Sequence, residues 1–221
     1  MPDRMFFNFS FFKIDPKWRW MADLAKEESA KEVDQVIRNS KIKCRTYSTL
    51  GFRDDAEFLL WFASDSVEEI QGVISKIYTT VFGKYIVPSH VYLSSTRPSI
   101  YSKSGKTPSF VDDSEPKNYC IVYPFIKTRE WYLLPLEKRK VMMDEHITVG
   151  HKYPQVTLNT TYSFGIHDED FMLAFETDDL HAFQDLIMEL RETQVSRYIE
   201  KDTPMIVCVK KDIISLIASL G

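Results

Sequence analysis

The chain is 221 residues long, 44% hydrophobic and 27% charged, the composition of a folded domain with enough length for a sizeable core. A net charge of −4 offers no basic surface for nucleic acid, and the chain contains neither G-x-x-x-x-G-K-S/T nor G-x-G-x-x-G, which removes the glycine-rich phosphate loops. No apolar run reaches membrane-span length, no signal-peptide layout opens the chain, and Cys44, Cys120 and Cys208 outline neither a disulfide framework nor a zinc site, so a cytoplasmic protein is expected.

An alternating aromatic run, Phe7, Phe9 and Phe11, predicts a first strand. A charged amphipathic helix follows over Lys17–Ser40, then a hairpin of Thr46–Leu50 with Glu57–Ala63 turning at Arg53-Asp54-Asp55. A second helix over Ser66–Val81 and a strand over Val87–Ser94 complete the set. Ser94–Lys117 holds seven serines and three prolines and reads as a linker or surface loop. Beyond it the order recurs. Ile121, Tyr123 and Phe125 give a strand, Leu136–Tyr153 a helix entered through Pro135, and Val156–Phe164 with Asp170–Thr177 a hairpin turning at His167-Asp168-Glu169. A helix over Asp179–Ile199 and a strand over Pro204–Lys210 close the second copy, and KKDIISLIASLG reads as a short apolar helix.

The two copies align in register. Lys13 with Lys127 and Gly51 with Gly165 fall 114 apart, while Phe58, Phe62, Asp65 and Tyr85 meet Phe171, Phe175, Asp178 and Tyr198 at 113. The order βαββαβ is the ferredoxin-like unit. The predicted fold class is therefore α+β, with tandem ferredoxin-like repeats of the dimeric α+β barrel type at residues 1–95 and 118–221, joined by 96–117. One face of each sheet needs a cover, which a tandem copy supplies. Further apolar surface points to a homo-oligomer.

Of the five histidines, His146 and His151 lie five apart and would not share a helix face, so a joint zinc site is disfavoured. His167 beside Asp168, Glu169 and Asp170 reads as a solvated turn, since the first copy has Arg53-Asp54-Asp55 there. No nucleophile elbow occurs. The second copy alone carries Tyr123, Lys127, Trp131, Tyr132, His146 and Asn159, residue types that could furnish a redox pocket; aromatic strand residues are more often core material, and a lone helix histidine is more often a solvated one.

The segment Tyr123–Phe183 combines Y-P-x-x-K, then W-Y, then a helix with M-x-x-H, then F-E-T-x-D-L. As a set these closely resemble the chlorite dismutase-like haem protein family, which includes the coproheme decarboxylases of haem synthesis. The resemblance implies a tandem ferredoxin-like fold assembled as a ring of five, with haem b or iron coproporphyrin III in the second half. Carried over by position, it implies His146 as the proximal iron ligand, Tyr123 as a tyrosine oxidised to a radical, and Lys127 as an assistant at the reacting propionate. Trp131 and Tyr132 would line the pocket, Thr203 would sit near a propionate, and Ser99 and Tyr101 match a similar loop position. Arg97, Lys127 and Arg129 suit the four propionates of coproheme by charge. Two departures stand out. Asn159 falls where chlorite dismutases have Arg and many decarboxylases have Gln, and Val195 lies near where some members place a Glu against the histidine. The implied function is peroxide-dependent oxidative decarboxylation of coproheme to haem b, with hydrogen peroxide as co-substrate. The alternative is a haem carrier or sensor, or a weak peroxidase, and chlorite dismutation is disfavoured.

Overall fold

In the computed structural model, which describes residues 4–101, 110 and 114–221, the opening aromatic alternation becomes β1 (Phe6–Ile14). Pro16 and the Asp15 side chain, which accepts from Lys17 N, set a 3-10 turn over Pro16–Trp20 that sinks Trp18 into the core. For that reason α1 begins only at Asp23 and ends at Arg38 (Asp23–Arg38), several residues inside the predicted Lys17 start. β2 (Lys43–Ser48), β3 (Phe58–Ser64), α2 (Val67–Thr79) and β4 (Ile86–Ser95) follow, with Ser66 Oγ capping α2 at Glu69 N. The strand order is β4-β1-β3-β2, antiparallel throughout. Phe12 pairs with Phe58 and Phe9 with Trp61. Phe12, Ile14, Phe58, Leu60 and Phe62 thus share one face, packed with Trp18, Val33, Ile70, Val73 and Ile77. The other face is aromatic and buried as well, with Phe9 stacked on Trp61 at 5.0 Å.

The second unit spans Thr96–Met205. It holds β5 (Tyr119–Lys127), α3 (Arg129–Leu133), α4 (Leu136–Gly150), β6 (Thr157–Tyr162), β7 (Phe171–Thr177), α5 (Leu180–Arg191) and β8 (Ile199–Lys201). The strand order is β6-β7-β5-β8. The helix predicted over Asp179–Ile199 stops at Arg191; a 3-10 turn at Gln194–Tyr198 redirects the chain so that β8 can pair with the end of β5. Thr96–Tyr101, read as linker, belong to this unit, while positions 102–109 and 111–113 of that linker lie outside the described residues.

The closing strand predicted over Pro204–Lys210 is β9 (Ile206–Lys210), and it pairs with Tyr47 and Ser48 of β2. With α6 (Ile213–Ala218), whose Ile213, Leu216 and Ile217 enter the core around Trp18, Ile206–Gly221 groups with the first unit rather than with the second copy.

Each unit fastens the end of its first strand in the same way. In the first, Glu57 Oε2 accepts from Ile14 N at 2.7 Å and Oε1 from Arg19 at 2.9 Å. In the second, Asp170 Oδ2 accepts from Lys127 N at 2.8 Å and from the Tyr132 hydroxyl at 2.6 Å. All three positions recur at a spacing of 113, as do the cross-strand pairs Phe12–Phe58 and Phe125–Phe171. This corrects the sequence alignment of the first strands by one residue: Ile14, not Lys13, is the counterpart of Lys127. Lys13 instead donates to the Asp54 carbonyl. Gly51 and Gly165 remain equivalent, both in the left-handed region at φ +81° and +73°.

Candidate functional site

Residues that pair across antiparallel strands share a face. Tyr123 lies opposite Leu173, which lies opposite Thr160; Phe125 lies opposite Phe171, which lies opposite Tyr162. Tyr123, Phe125 and Lys127 therefore look out from one face of the second sheet, the face on which Phe183 of α5 packs against Phe175. Tyr123 is 4% exposed and stacks near-parallel to Phe175 at 5.9 Å. Burial and the charge of Asp202 push its phenol well above the usual range, with Arg191 opposing. Arg191 and Asp202 pair at 3.0 Å and, with Ser196, Ile199 and Glu200, line a cavity of about 280 Å³.

Lys127 ends β5 with its ammonium 4.4 Å from the ring centre of buried Trp131 and 5.3 Å from that of Phe125. Burial lowers its pKa to about 8, against the pull of Asp170. Tyr132, one residue past Trp131, is held by Asp170, and burial followed by that bond pushes its phenol far up. Phe164 meets the Tyr132 ring edge-on at 5.7 Å.

His146 rides on α4. Burial, then the charge of Lys127, lowers its pKa to about 4, with Glu145 opposing, so the imidazole is neutral at ordinary pH. Its Nδ1 is buried without a partner among the described residues. The neighbouring Glu145 accepts from Gln194 N at 3.0 Å, fastening α4 to the turn that carries Val195, itself 2% exposed. His151, at the C-cap of α4, is exposed. Arg139 lies seven residues before His146 and therefore on the same helix face; it donates to the Tyr101 hydroxyl at 3.2 Å. Tyr101 in turn sits 6.2 Å from Trp131, and Ser99 hydrogen-bonds Tyr162 in the field of Arg97.

The structure thus gathers Lys127, Trp131, Tyr132, Tyr101, Ser99 and Arg97 around one face of the second unit, with His146 within the field of Lys127. Two expected site residues stand apart. Asn159 pairs with Ala174, which pairs with Val122, and so occupies the opposite face of the sheet from Tyr123. Its amide is 1% exposed and donates to Glu176 at 2.9 Å and to the Ala174 carbonyl at 3.3 Å. The count of thirteen residues from His146 fixed its position in the chain but not the parity of the strand. Thr203 is exposed before Pro204 and joins none of these hydrogen-bonded groups. The turn at His167 is less solvated than its polarity implies: Glu169 is 4% exposed and holds His167 Nδ1 at 2.8 Å. Asp170 and Arg139 were not singled out from the sequence. For Asp170 the signal was present, because it stands 113 past Glu57.

Two ferredoxin-like units, the second carrying a neutral helix histidine and a buried lysine over aromatic rings, define a tandem ferredoxin-like α+β protein. The chain matches the chlorite dismutase family profile over residues 26–211, and it belongs to that family and is an enzyme. It is 37% identical over 175 residues to a coproheme decarboxylase of Mycolicibacterium smegmatis, covering 79% of this chain and 75% of that one. Among solved structures it resembles chlorite dismutase from Candidatus Nitrospira defluvii in complex with imidazole, at TM-score 0.89 and 22% identity over 98% of this chain and 94% of that one. A point variant of the same enzyme superposes at TM-score 0.90 and 22% identity, covering 100% and 96%. These structural likenesses speak for the fold.

Proposed function

We propose that this protein binds iron coproporphyrin III and, with hydrogen peroxide, converts it by oxidative decarboxylation to haem b. The observation that carries the reading is the neutral, half-buried imidazole of His146, whose Nδ1 no side chain among the described residues claims, set in the field of a buried lysine. Such a donor would suit a porphyrin iron as a ligand, and aromatic rings with a cation would suit a flat, carboxylate-bearing ring. When bound, the iron porphyrin would supply the redox chemistry with peroxide.

The chain's own residues would do the rest. His146 would hold the iron as a neutral ligand, and its Nδ1, unpartnered among the described residues, would leave the imidazole little anionic character. Tyr123, whose phenol burial keeps protonated, would give up an electron and a proton together and then take a hydrogen atom from a propionate. Lys127, with a pKa near the operating pH, would hold or release a proton at the reacting carboxylate. Each of the two propionates converted loses carbon dioxide, two electrons and a proton to become a vinyl group, and one peroxide per propionate takes up the two electrons, that proton and one from solvent as it becomes two waters. The reading gives Asn159 no place over the iron, because Glu176 holds it on the other face, and so chlorite turnover is expected to be weak.

The test is titration with iron coproporphyrin III, then peroxide, with chromatography of the porphyrins. Stepwise loss of carboxylates is the expected result; an unchanged tetracarboxylate with bound iron would favour a carrier or sensor instead.

A further inference from the structure

The inner face of α4 carries a second polar group besides His146. Arg139 stands about 10.5 Å from His146 along the helix axis, at 1.5 Å per residue. Its Nε is buried and unpartnered, and its Nη1 donates to the Tyr101 hydroxyl. Among the described residues no carboxylate pairs with it; the nearby Glu137 is taken by Lys140 at 3.0 Å. Buried guanidinium N–H groups are ordinarily satisfied, and this one faces a phenol, while the neighbouring Ser99 and Tyr162 bond each other near a second arginine, Arg97. Hydroxyls and cations that no acid among the described residues pairs with make a place for an anion, and a guanidinium's fork matches a carboxylate.

Resting on the proposed function, we infer that Arg139, together with Tyr101, binds a carboxylate on the rim of the tetrapyrrole and so selects porphyrins that are acidic on that edge. Arg139 would be a specificity-determining residue, two turns from the iron ligand and taking no part in the redox step.

The experiment uses metal-free probes, so that iron ligation plays no part. Binding of coproporphyrin III and of its uncharged tetramethyl ester is followed by quenching of tryptophan fluorescence, in the unaltered protein and in Arg139→Met, Arg139→Lys and Tyr101→Phe. The unaltered protein should prefer the acid. Arg139→Met should weaken the acid at least about tenfold and leave the ester unchanged, with Arg139→Lys in between, since a point charge replaces the fork. Equal weakening of both probes, undiminished acid binding by Arg139→Met, or no binding of either probe by the unaltered protein would each overturn the inference. His146→Ala should keep the acid-over-ester preference, which separates failure of the iron-ligand reading from failure of this one.

Discussion

Asp170→Asn keeps the shape of the side chain that fastens β5 and removes its charge. The carboxylate accepts from Lys127 N and from the Tyr132 hydroxyl. Weakening two charge-assisted bonds to neutral ones costs about 1 kcal/mol each, so a loss of about 2 kcal/mol is expected in urea unfolding. The more discriminating effect falls on Lys127. Burial brings its pKa from 10.5 down to about 8, and the negative charge of Asp170 is what resists a further fall. Without that charge the pKa drops below about 8, and the neutral fraction near neutral pH rises. The folded value lies below the unfolded one, so charging this lysine opposes folding at neutral pH by about 3 kcal/mol, and the opposition fades as pH rises from about 8 to 10.5. In Asp170→Asn the fading begins at lower pH. Carbon-13 NMR of side-chain-labelled lysine, titrated in both proteins, reads the shift directly. A Lys127 pKa unchanged or raised by the substitution would refute the electrostatic account of this junction.

His146 should protonate late: in the protein without porphyrin, stability should fall as pH drops from 6.5 towards about 4, by about 2 kcal/mol at pH 5, and His146→Leu should flatten that slope in pH-dependent urea unfolding. Tyr123→Phe should abolish most propionate loss while porphyrin binding persists, as chromatography and absorbance titration would show; undiminished decarboxylation would remove the tyrosine from the chemistry. Gly83→Ala should destabilise by more than about 2 kcal/mol, because a Cβ there would come within 1.9 Å of the Ile77 carbonyl oxygen; calorimetry checks this. Light scattering should give a homo-oligomer, five copies by family resemblance, and a monomer at micromolar concentration would count against it.

Periodicity made the strands legible. The alternation at Phe7, Phe9 and Phe11 and the aromatic pair Phe58 and Phe171 carry local signals that burial then rewards. Element ends were harder. Trp18 and Val195 are apolar residues on short 3-10 turns, indistinguishable by pattern from helix residues, and so both neighbouring helices were drawn too long. The departure of Ile206–Lys210 to β2 depends on non-local pairing that no window of sequence contains. At the candidate site, Lys127, Trp131 and Tyr132 were legible as a group because one short motif holds them together. The face that Asn159 occupies, opposite to that of Tyr123, was not legible, because a one-residue step along a strand exchanges faces. Arg139 escaped notice because an arginine on a charged helix looks solvated until its Nε is seen to be enclosed.

The matching carboxylate fastenings also bear on how the chain finds its fold. Ile14 with Glu57 and Lys127 with Asp170 each join residues 43 apart. Loop-closure entropy depends on that separation alone to first order, at about 3 kcal/mol for the length-dependent part. The two halves therefore face the same closure cost before their third strands can dock on their first. Any difference in the speed at which they form must come from what is gained at closure. The first half gains an ion pair with a 46% exposed arginine, the second a hydrogen bond from a phenol whose ring meets Phe164 edge-on. A bond from a neutral phenol is screened by salt far less than an exposed ion pair. Raising ionic strength should thus slow the first half's closure relative to the second's, in hydrogen exchange pulsed during refolding.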